Sequence, residues 1–156
     1  MASHHQNMIT SFFVEFSDLY VKLPLFSNRI SAGFPSPAED YIEENLNLQD
    51  LMISHPSATY FLKVDGESMV DAGILSGDIL VVDKAMSPKN GSIVVAILDG
   101  NFTVKRWFFE NSQHVLRAEN VNYPDIIVDP KQHQDFEIWG VVTFAIHQLQ
   151  ASSNKS

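Results

Sequence analysis

One serine and one lysine have the types and the surroundings that hydrolytic chemistry requires. Ser68 follows a glycine in the turn Gly66-Glu67-Ser68-Met69, and Lys105 lies 37 positions further along, in a run of aromatic and β-branched residues typical of a strand. A lysine in such a strand must reach solvent or lose its proton. Because a desolvated lysine can activate a serine without histidine, the two residues form a candidate Ser-Lys pair.

The chemistry of this pair depends on the pKa of the Lys105 amine. At the ordinary lysine pKa of about 10.4, only about one amine in 2,500 is neutral at pH 7, too few for an efficient general base. Burial can lower the pKa by roughly 3, at a cost of about 4 kcal/mol. Thr103, a candidate to orient the amine, shares a strand face with Lys105 and Trp107. The opposite face, with Phe102 and Val104, is equally apolar, so alternation leaves open which face is buried.

The elements that would position the pair are mainly strands. Apolar runs separated by turn residues predict strands over 58–64, 78–83, 92–98, 102–109, 113–118 and 136–147. The clearest hairpin turn is Asp99-Gly100, between two of these runs. A short helical turn over 69–75 would follow Ser68, and backbone N–H groups at its start, those of Ser68 and Met69, are candidates to stabilise an oxyanion.

Four segments are expected along the chain. We predict a leader over 1–22, an arm over 23–54, a β domain over 55–149 and a disordered polar tail over 150–156. The arm is predicted to contain short helices. One would start at Ser36, with Pro37 in its first turn, and another would be capped by Asn47 and end near Ser54.

Several motifs follow Ser68 in an order that resembles a known family. They are Gly66-Glu67-Ser68-Met69, Asp71-Ala72-Gly73-Ile74, Gly77-Asp78-Ile79-Leu80-Val81-Val82-Asp83, Asn90-Gly91-Ser92-Ile93-Val94-Val95-Ala96 and Asp99-Gly100-Asn101-Phe102-Thr103-Val104-Lys105-Arg106. This succession resembles the self-cleaving Ser-Lys peptidase domain of the LexA/UmuD family. Residues 23–62, which include Pro24-Leu25-Phe26 and His55-Pro56-Ser57-Ala58, resemble its UmuD branch. The resemblance covers roughly Val21 to His147.

The resemblance implies a fold, a pair of catalytic residues and a cleavage site. The implied fold is mainly β, a LexA/UmuD-like C-terminal peptidase fold whose curled, partly open sheet follows a short helical N-terminal arm. Ser68 would be the nucleophile and Lys105 the general base. The bond cut would be Ala32–Gly33 in the chain's own arm, where small residues let a recessed hydroxyl approach the carbonyl.

The dipeptide at the cleavage site is a weak signal by itself. Ala-Gly occurs again at Ala72–Gly73, four residues from Ser68 and too close to it to fold back productively. The UmuD branch often has cysteine where this chain has Ala32. Because the two side chains are similar in size, the difference bears on rate alone.

The same resemblance implies partners and a cellular role. The chain would cut itself during the DNA-damage (SOS) response when a RecA filament on single-stranded DNA favours the cleavable pose. The shortened protein, a homodimer in the cytoplasm, would then join a Y-family polymerase subunit, similar to UmuC, for error-prone translesion synthesis. The alternative is a non-catalytic dimer that regulates the polymerase as a binding module.

Composition excludes several other classes. The chain has no cysteine, and its six histidines are scattered without ligand spacing, so neither a metal nor another cofactor is expected. The apolar patch over 8–16 is interrupted by polar residues and has no basic residue before it, unlike a signal peptide or membrane anchor. A net charge of −9 argues against direct DNA binding, and the 32 residues before Gly33 are too few for a repressor's helix-turn-helix domain.

Asp78 and Asp83 are candidates for the acid of a catalytic triad. A triad acid orients a histidine, and no histidine is placed in the sequence to need orienting. Aspartates beside turns readily accept hydrogen bonds from nearby backbone N–H groups. We therefore expect both residues to stabilise turns.

Overall fold

The structure, a computed structural model, describes residues 21–27, 29–35, 37 and 41–151. The chain divides into two compact units, one ending at Leu51 and the other beginning at Met52. The described residues are mainly strands, as the sequence predicts. None of the helices within those ranges has the length and apolar character needed to cross a membrane.

The first unit contains an antiparallel hairpin that the sequence did not predict. Strand β1 (Lys22–Phe26) pairs with strand β2 (Ile42–Asn47), and a short helix, α1 (Leu48–Met52), follows directly. The predicted helix cap is confirmed, because Asn47 Oδ1 accepts a hydrogen bond of 2.8 Å from the Gln49 N–H.

The predicted helix at Ser36 falls mostly outside the described residues. Positions 36 and 38–40 are not described, and the chain is already a strand at Ile42. The two described residues in this stretch, Pro37 and Tyr41, are not in a helix. The residues of the strand, which include two adjacent glutamates and two asparagines, gain their backbone hydrogen bonds from β1, a pairing that local propensity does not reveal.

In the second unit, the described residues form one antiparallel sheet of seven strands. Their order across the sheet is β3-β4-β9-β5-β6-β7-β8. In chain order they are β3 (Thr59–Lys63), β4 (Ile79–Asp83), β5 (Ile93–Leu98), β6 (Asn101–Glu110), β7 (Gln113–Arg117), β8 (Ile126–Val128) and β9 (Phe136–Ile146). The six predicted strands are confirmed. Strand β8 was not predicted, since three residues carry no recognisable alternation.

The hairpin between β5 and β6 places Lys105 in the sheet. Its turn is Asp99-Gly100, and both residues have positive φ, 49° and 78°. Two positive φ angles are the mark of a tight turn that matches the twist of paired strands. The predicted turn is confirmed, and it sets Lys105 opposite Val94.

Strand β9 bends where it crosses the sheet. Val95 pairs with Gly140 but Ala96 pairs with Ile138, so Trp139 is an extra residue, and a second irregularity interrupts the pairing with β4. Such bulges increase the local bend and twist of a strand. Although β3 and β6 are separated by three strands, residues of both line one cavity, so the sheet is curled without closing.

Both faces of this sheet are packed. One cluster of buried side chains includes Met69, Leu80 and Val95. The other includes Val94 and Leu116, with Trp107 packed against it. Neighbouring residues of β5 therefore point into different clusters, as the two-residue period of a strand requires.

Candidate active site

Ser68 lies in the loop between β3 and β4. The loop turns at Gly66, whose φ of 100° is accessible to glycine, and continues into a single 3-10 turn, Val70–Ala72. Met69 is 3% exposed and anchors the loop in the core. The Met69 carbonyl also accepts a hydrogen bond of 3.2 Å from the Ile74 N–H. These contacts hold the serine at the mouth of the cavity, with its side chain partly accessible.

Lys105 lies in the middle of β6 and is buried, 8% exposed. Its cross-strand neighbour Val94 is fully buried, which keeps water from the aliphatic part of the lysine side chain. Burial lowers the pKa of the Lys105 amine below its ordinary value, because leaving water disfavours the charged form.

The Lys105 amine has three hydrogen-bond partners. Nζ lies 2.9 Å from Ser68 Oγ, 3.1 Å from Thr103 Oγ1 and 3.0 Å from the carbonyl oxygen of Val104. None of these partners carries a charge. No opposite charge in this set therefore offsets the loss of hydration, which favours a neutral amine.

A cavity of about 300 Å³ opens beside this pair. Its walls come from the end of β3, the Ser68 loop and the first half of β6, and include Leu62, Gly66, Ile74 and Phe102. The space is large enough for a few residues of an extended peptide. Ser68 and Lys105 both line this cavity, and the lysine stays largely shielded from bulk water.

Ala32 and Gly33 lie in the first unit. Both occupy bends, and the described residues from 29 to 35 are exposed. Ile30 and Phe34, on either side of this dipeptide, are 93% and 87% exposed. An exposed, irregular segment is the kind of backbone that a peptidase can bind in extended form.

Histidines accompany both of the aspartates considered for a triad. Asp78 Oδ1 lies 2.6 Å from His147 Nδ1, and Asp83 Oδ2 lies 2.6 Å from His55 Nδ1. The expectation that no histidine is near them is wrong, because the pairs form between residues 69 and 28 positions apart. Neither pair includes Ser68.

The expected turn role of these two aspartates is confirmed. Asp78 accepts a hydrogen bond from the Leu75 N–H at 2.8 Å, and Asp83 accepts bonds from the Ala85 and Met86 N–H groups at 2.8 and 3.0 Å. Burial alone would raise the pKa of each carboxyl. These hydrogen bonds and the histidines outweigh burial, so both pKa values are lowered.

Residues 119 and 120, which sequence reasoning missed, contact the backbone around Ser68. The Glu119 N–H donates to the Ser68 carbonyl at 2.9 Å, and Asn120 Nδ2 donates to the Glu67 carbonyl at 2.9 Å. The Glu119 carbonyl in turn accepts from the Asp71 N–H at 2.9 Å. No local pattern marks these two residues, because their partners lie about fifty positions earlier in the chain.

Arg106 links this segment to the strand that carries Lys105. Its Nε donates to the Glu119 carboxylate, and its Nη1 donates to the Gly91 carbonyl at 2.6 Å.

Within the described ranges, no group of three or more histidine, aspartate or glutamate side chains has the arrangement needed to hold a metal ion.

Comparison with known proteins decides the family. A model of the Peptidase S24-like family matches residues 24–143. The chain belongs to this family. The match spans the Ser68 loop, Lys105 and the segment around Ala32, and it confirms the resemblance to the LexA/UmuD peptidases.

Individual relatives place the chain within the family. MucA of Salmonella typhimurium is 47% identical over 124 residues, which are 80% of this chain and 84% of MucA. ImpA of Escherichia coli is 45% identical over 138 residues, which are 85% of this chain and 88% of ImpA. The LexA repressor of Psychromonas ingrahamii is 40% identical over 124 residues, which cover only 58% of that repressor. The similarity confirms the predicted UmuD branch.

Proposed function

We propose that the chain is a serine peptidase that cuts its own Ala32–Gly33 bond with Ser68 as nucleophile and Lys105 as general base. The observation that carries the proposal is the 2.9 Å contact between Lys105 Nζ and Ser68 Oγ at a buried amine, in a chain of the Peptidase S24-like family. A lowered pKa increases the share of the amine in the neutral form that a base requires.

The first step forms an ester. As Ser68 Oγ bonds to the carbonyl carbon of Ala32, its proton passes to the neutral Lys105 Nζ. The N–H groups of Ser68 and Met69 donate to the oxyanion of the tetrahedral intermediate. The bond to the Gly33 nitrogen then breaks, and the Lys105 ammonium returns its proton to the leaving amine.

The second step releases the arm. Lys105 takes a proton from a water molecule while the water oxygen attacks the ester carbon. When the carbon–Oγ bond breaks, the ammonium gives its proton back to Ser68. Residues 1–32 leave with a new carboxylate on Ala32, and residues 33–156 keep both catalytic side chains.

The proposal extends to partners and regulation. In the cytoplasm, a RecA filament on single-stranded DNA would favour the pose in which the arm enters the cavity, a shift of population that adds no catalytic group. The shortened chain would form a homodimer and join a Y-family polymerase subunit for translesion synthesis. Similarity to MucA and ImpA over more than four-fifths of each protein supports this placement.

Incubation of the purified chain at alkaline pH, without RecA, tests the proposal. Deprotonation of Lys105 raises the fraction of arm-docked chains that can react even without a filament, so we expect faster cleavage at pH 10 than at pH 7. Intact-mass spectrometry and N-terminal sequencing should give a product that begins at Gly33. A folded chain that stays uncut after a night at pH 10 would contradict the proposal.

Two variants serve as controls for this experiment. Ser68→Ala removes the nucleophile and Lys105→Ala removes the base, and both should stay folded because the first removes one oxygen atom and the second removes a buried ionisable group. Neither should yield a product at any pH. Cleavage in either variant would remove that residue from its proposed role, and an uncut but folded wild-type chain would favour the binding-module alternative.

A further inference from the structure

Two peptide groups carry the N–H donors of the proposed oxyanion site. The Ser68 N–H belongs to the peptide group whose carbonyl is that of Glu67, and the Met69 N–H belongs to the group whose carbonyl is that of Ser68. No cis peptide bond occurs in the described residues. In a trans peptide group the N–H and the C=O point in opposite directions, so the direction of one fixes the direction of the other.

The carbonyls of these two peptide groups are held by neighbouring residues of one segment. Asn120 Nδ2 donates to the Glu67 carbonyl, and the Glu119 N–H donates to the Ser68 carbonyl, both at 2.9 Å. The Glu67 carbonyl also accepts a longer bond of 3.4 Å from the Val70 N–H. With both carbonyls directed at residues 119 and 120, both N–H groups are directed away from them.

The segment itself is fixed from two sides. Asn120 Oδ1 accepts a bond of 3.0 Å from the Asn122 N–H, which sets the orientation of its side-chain amide. The Glu119 carboxylate accepts from Arg106, the residue after Lys105. A closed ring of contacts therefore runs from Ser68 Oγ through Lys105, Arg106 and Glu119 back to the Ser68 carbonyl.

We infer that Asn120 is a positioning residue, which with the Glu119 backbone aims the N–H groups of Ser68 and Met69 at the oxyanion. The inference rests on the proposed self-cleavage and adds a residue outside the Ser-Lys pair. A hydrogen bond accepted by the carbonyl also polarises the N–H of the same peptide group and makes it a stronger donor. Misdirection of such donors affects the transition state, where the charge develops, more than the resting protein.

Two substitutions test the role of the Asn120 Nδ2 donor, and they differ in what else they change. Asn120→Ala and Asn120→Asp both lose the N–H that binds the Glu67 carbonyl. Aspartate keeps the acceptor for the Asn122 N–H, whereas alanine adds no charge near Lys105. A matched control is Val121→Ala in the same turn, where the native side chain is 95% exposed.

The measurement is the first-order rate of self-cleavage of the full chain as a function of pH, followed by intact mass. We expect the alkaline plateau of both Asn120 variants to fall about 10- to 100-fold below that of Val121→Ala, less than the roughly 100- to 1,000-fold cost of deleting a donor. The pH midpoint of Asn120→Ala should be unchanged, because Lys105 keeps its surroundings. The melting temperatures should also match the control.

Each contrary result has a distinct meaning. A plateau equal to the control in either variant would overturn the inference and leave the proposed function intact. A midpoint of Asn120→Ala that moves toward the ordinary lysine pKa, or a loss of folding in both variants, would assign Asn120 a general structural role and also overturn it. A folded wild-type chain that never cuts itself would refute the proposed function as well.

Discussion

At the scale of single residues, the Lys105 amine can satisfy all three of its neighbours in its neutral form as well as in its charged form. A neutral amine has two N–H donors and one lone pair, whereas an ammonium has three donors and no acceptor. Two N–H groups can donate to Thr103 Oγ1 and the Val104 carbonyl, and the lone pair can accept the Ser68 hydroxyl proton. Loss of the charge therefore leaves no partner unsatisfied and gives the hydroxyl the orientation that proton transfer needs.

Removal of the Thr103 hydroxyl should lower the pH at which cleavage becomes fast. Because the pKa of Lys105 is already lowered by burial, the rate of the wild-type chain should rise with pH and level off below the ordinary lysine value of 10.5. Thr103 Oγ1 accepts a hydrogen bond that stabilises the ammonium more than the amine. In Thr103→Val the midpoint of the rate profile should move to lower pH; a midpoint at higher pH would contradict this role.

Burial of Lys105 should also make the stability of the protein depend on pH. Between the lowered pKa and 10.5 the unfolded chain binds more protons than the folded one, so stability rises with pH across that window. Lys105→Met removes the ionisable group. Urea unfolding should show that this variant has a higher free energy of unfolding than wild type, with the largest gain at neutral pH. The gain should be about 1.4 kcal/mol for each tenfold preference of the folded state for the neutral amine, and it should vanish above pH 10.5. A gain that is the same at every pH would show that packing alone is responsible.

At the scale of elements, the bend of β9 depends on the lack of a side chain at Gly140. A Cβ atom there would lie 2.6 Å from Val82 Cγ1 and 3.3 Å from the Asp83 carbonyl oxygen. Gly140→Ala should therefore force β4 and β9 apart and destabilise the protein by about 1–3 kcal/mol. Thermal unfolding measures the effect, and Gly33→Ala, where a Cβ would meet nothing within 4 Å, is the matched control. Equal melting temperatures for the two variants would contradict the prediction.

The strands around Lys105 show what alternation can and cannot predict. Runs such as 92–98 and 102–109 were predicted as strands because their composition and turns are local properties. Which face of β6 is buried was not predictable, since both faces are apolar and the structure packs both of them. The Ser68–Lys105 pair was predicted from a succession of motifs. Asn120 was not, because its partner is distant in sequence and nothing local marks it.

At the scale of the whole molecule, side-chain size at Ala32 should control self-cleavage. Ala32→Cys adds little volume and should keep the rate within about threefold, whereas Ala32→Asp adds bulk and charge beside the carbonyl and should slow cleavage at least 100-fold. Mass spectrometry at pH 10 measures both rates. Because position 32 is exposed in the uncut chain, neither substitution should alter the melting temperature. Fast cutting of the aspartate variant would place the scissile bond elsewhere.

The aspartate–histidine pairs at the two ends of β4 determine how the stability of this strand depends on acidic pH. Asp78, just before the first residue of the strand, is hydrogen-bonded to His147. Asp83, its last residue, is hydrogen-bonded to His55. Because both carboxyl pKa values lie below 3.8, the stability that these aspartates contribute is complete above that pH and is lost only as the medium becomes more acidic still. A fall in pH to about 5 would therefore leave the hydrogen bonds of both aspartates in place, while it would protonate a larger share of the proposed base, Lys105, and slow the proposed self-cleavage.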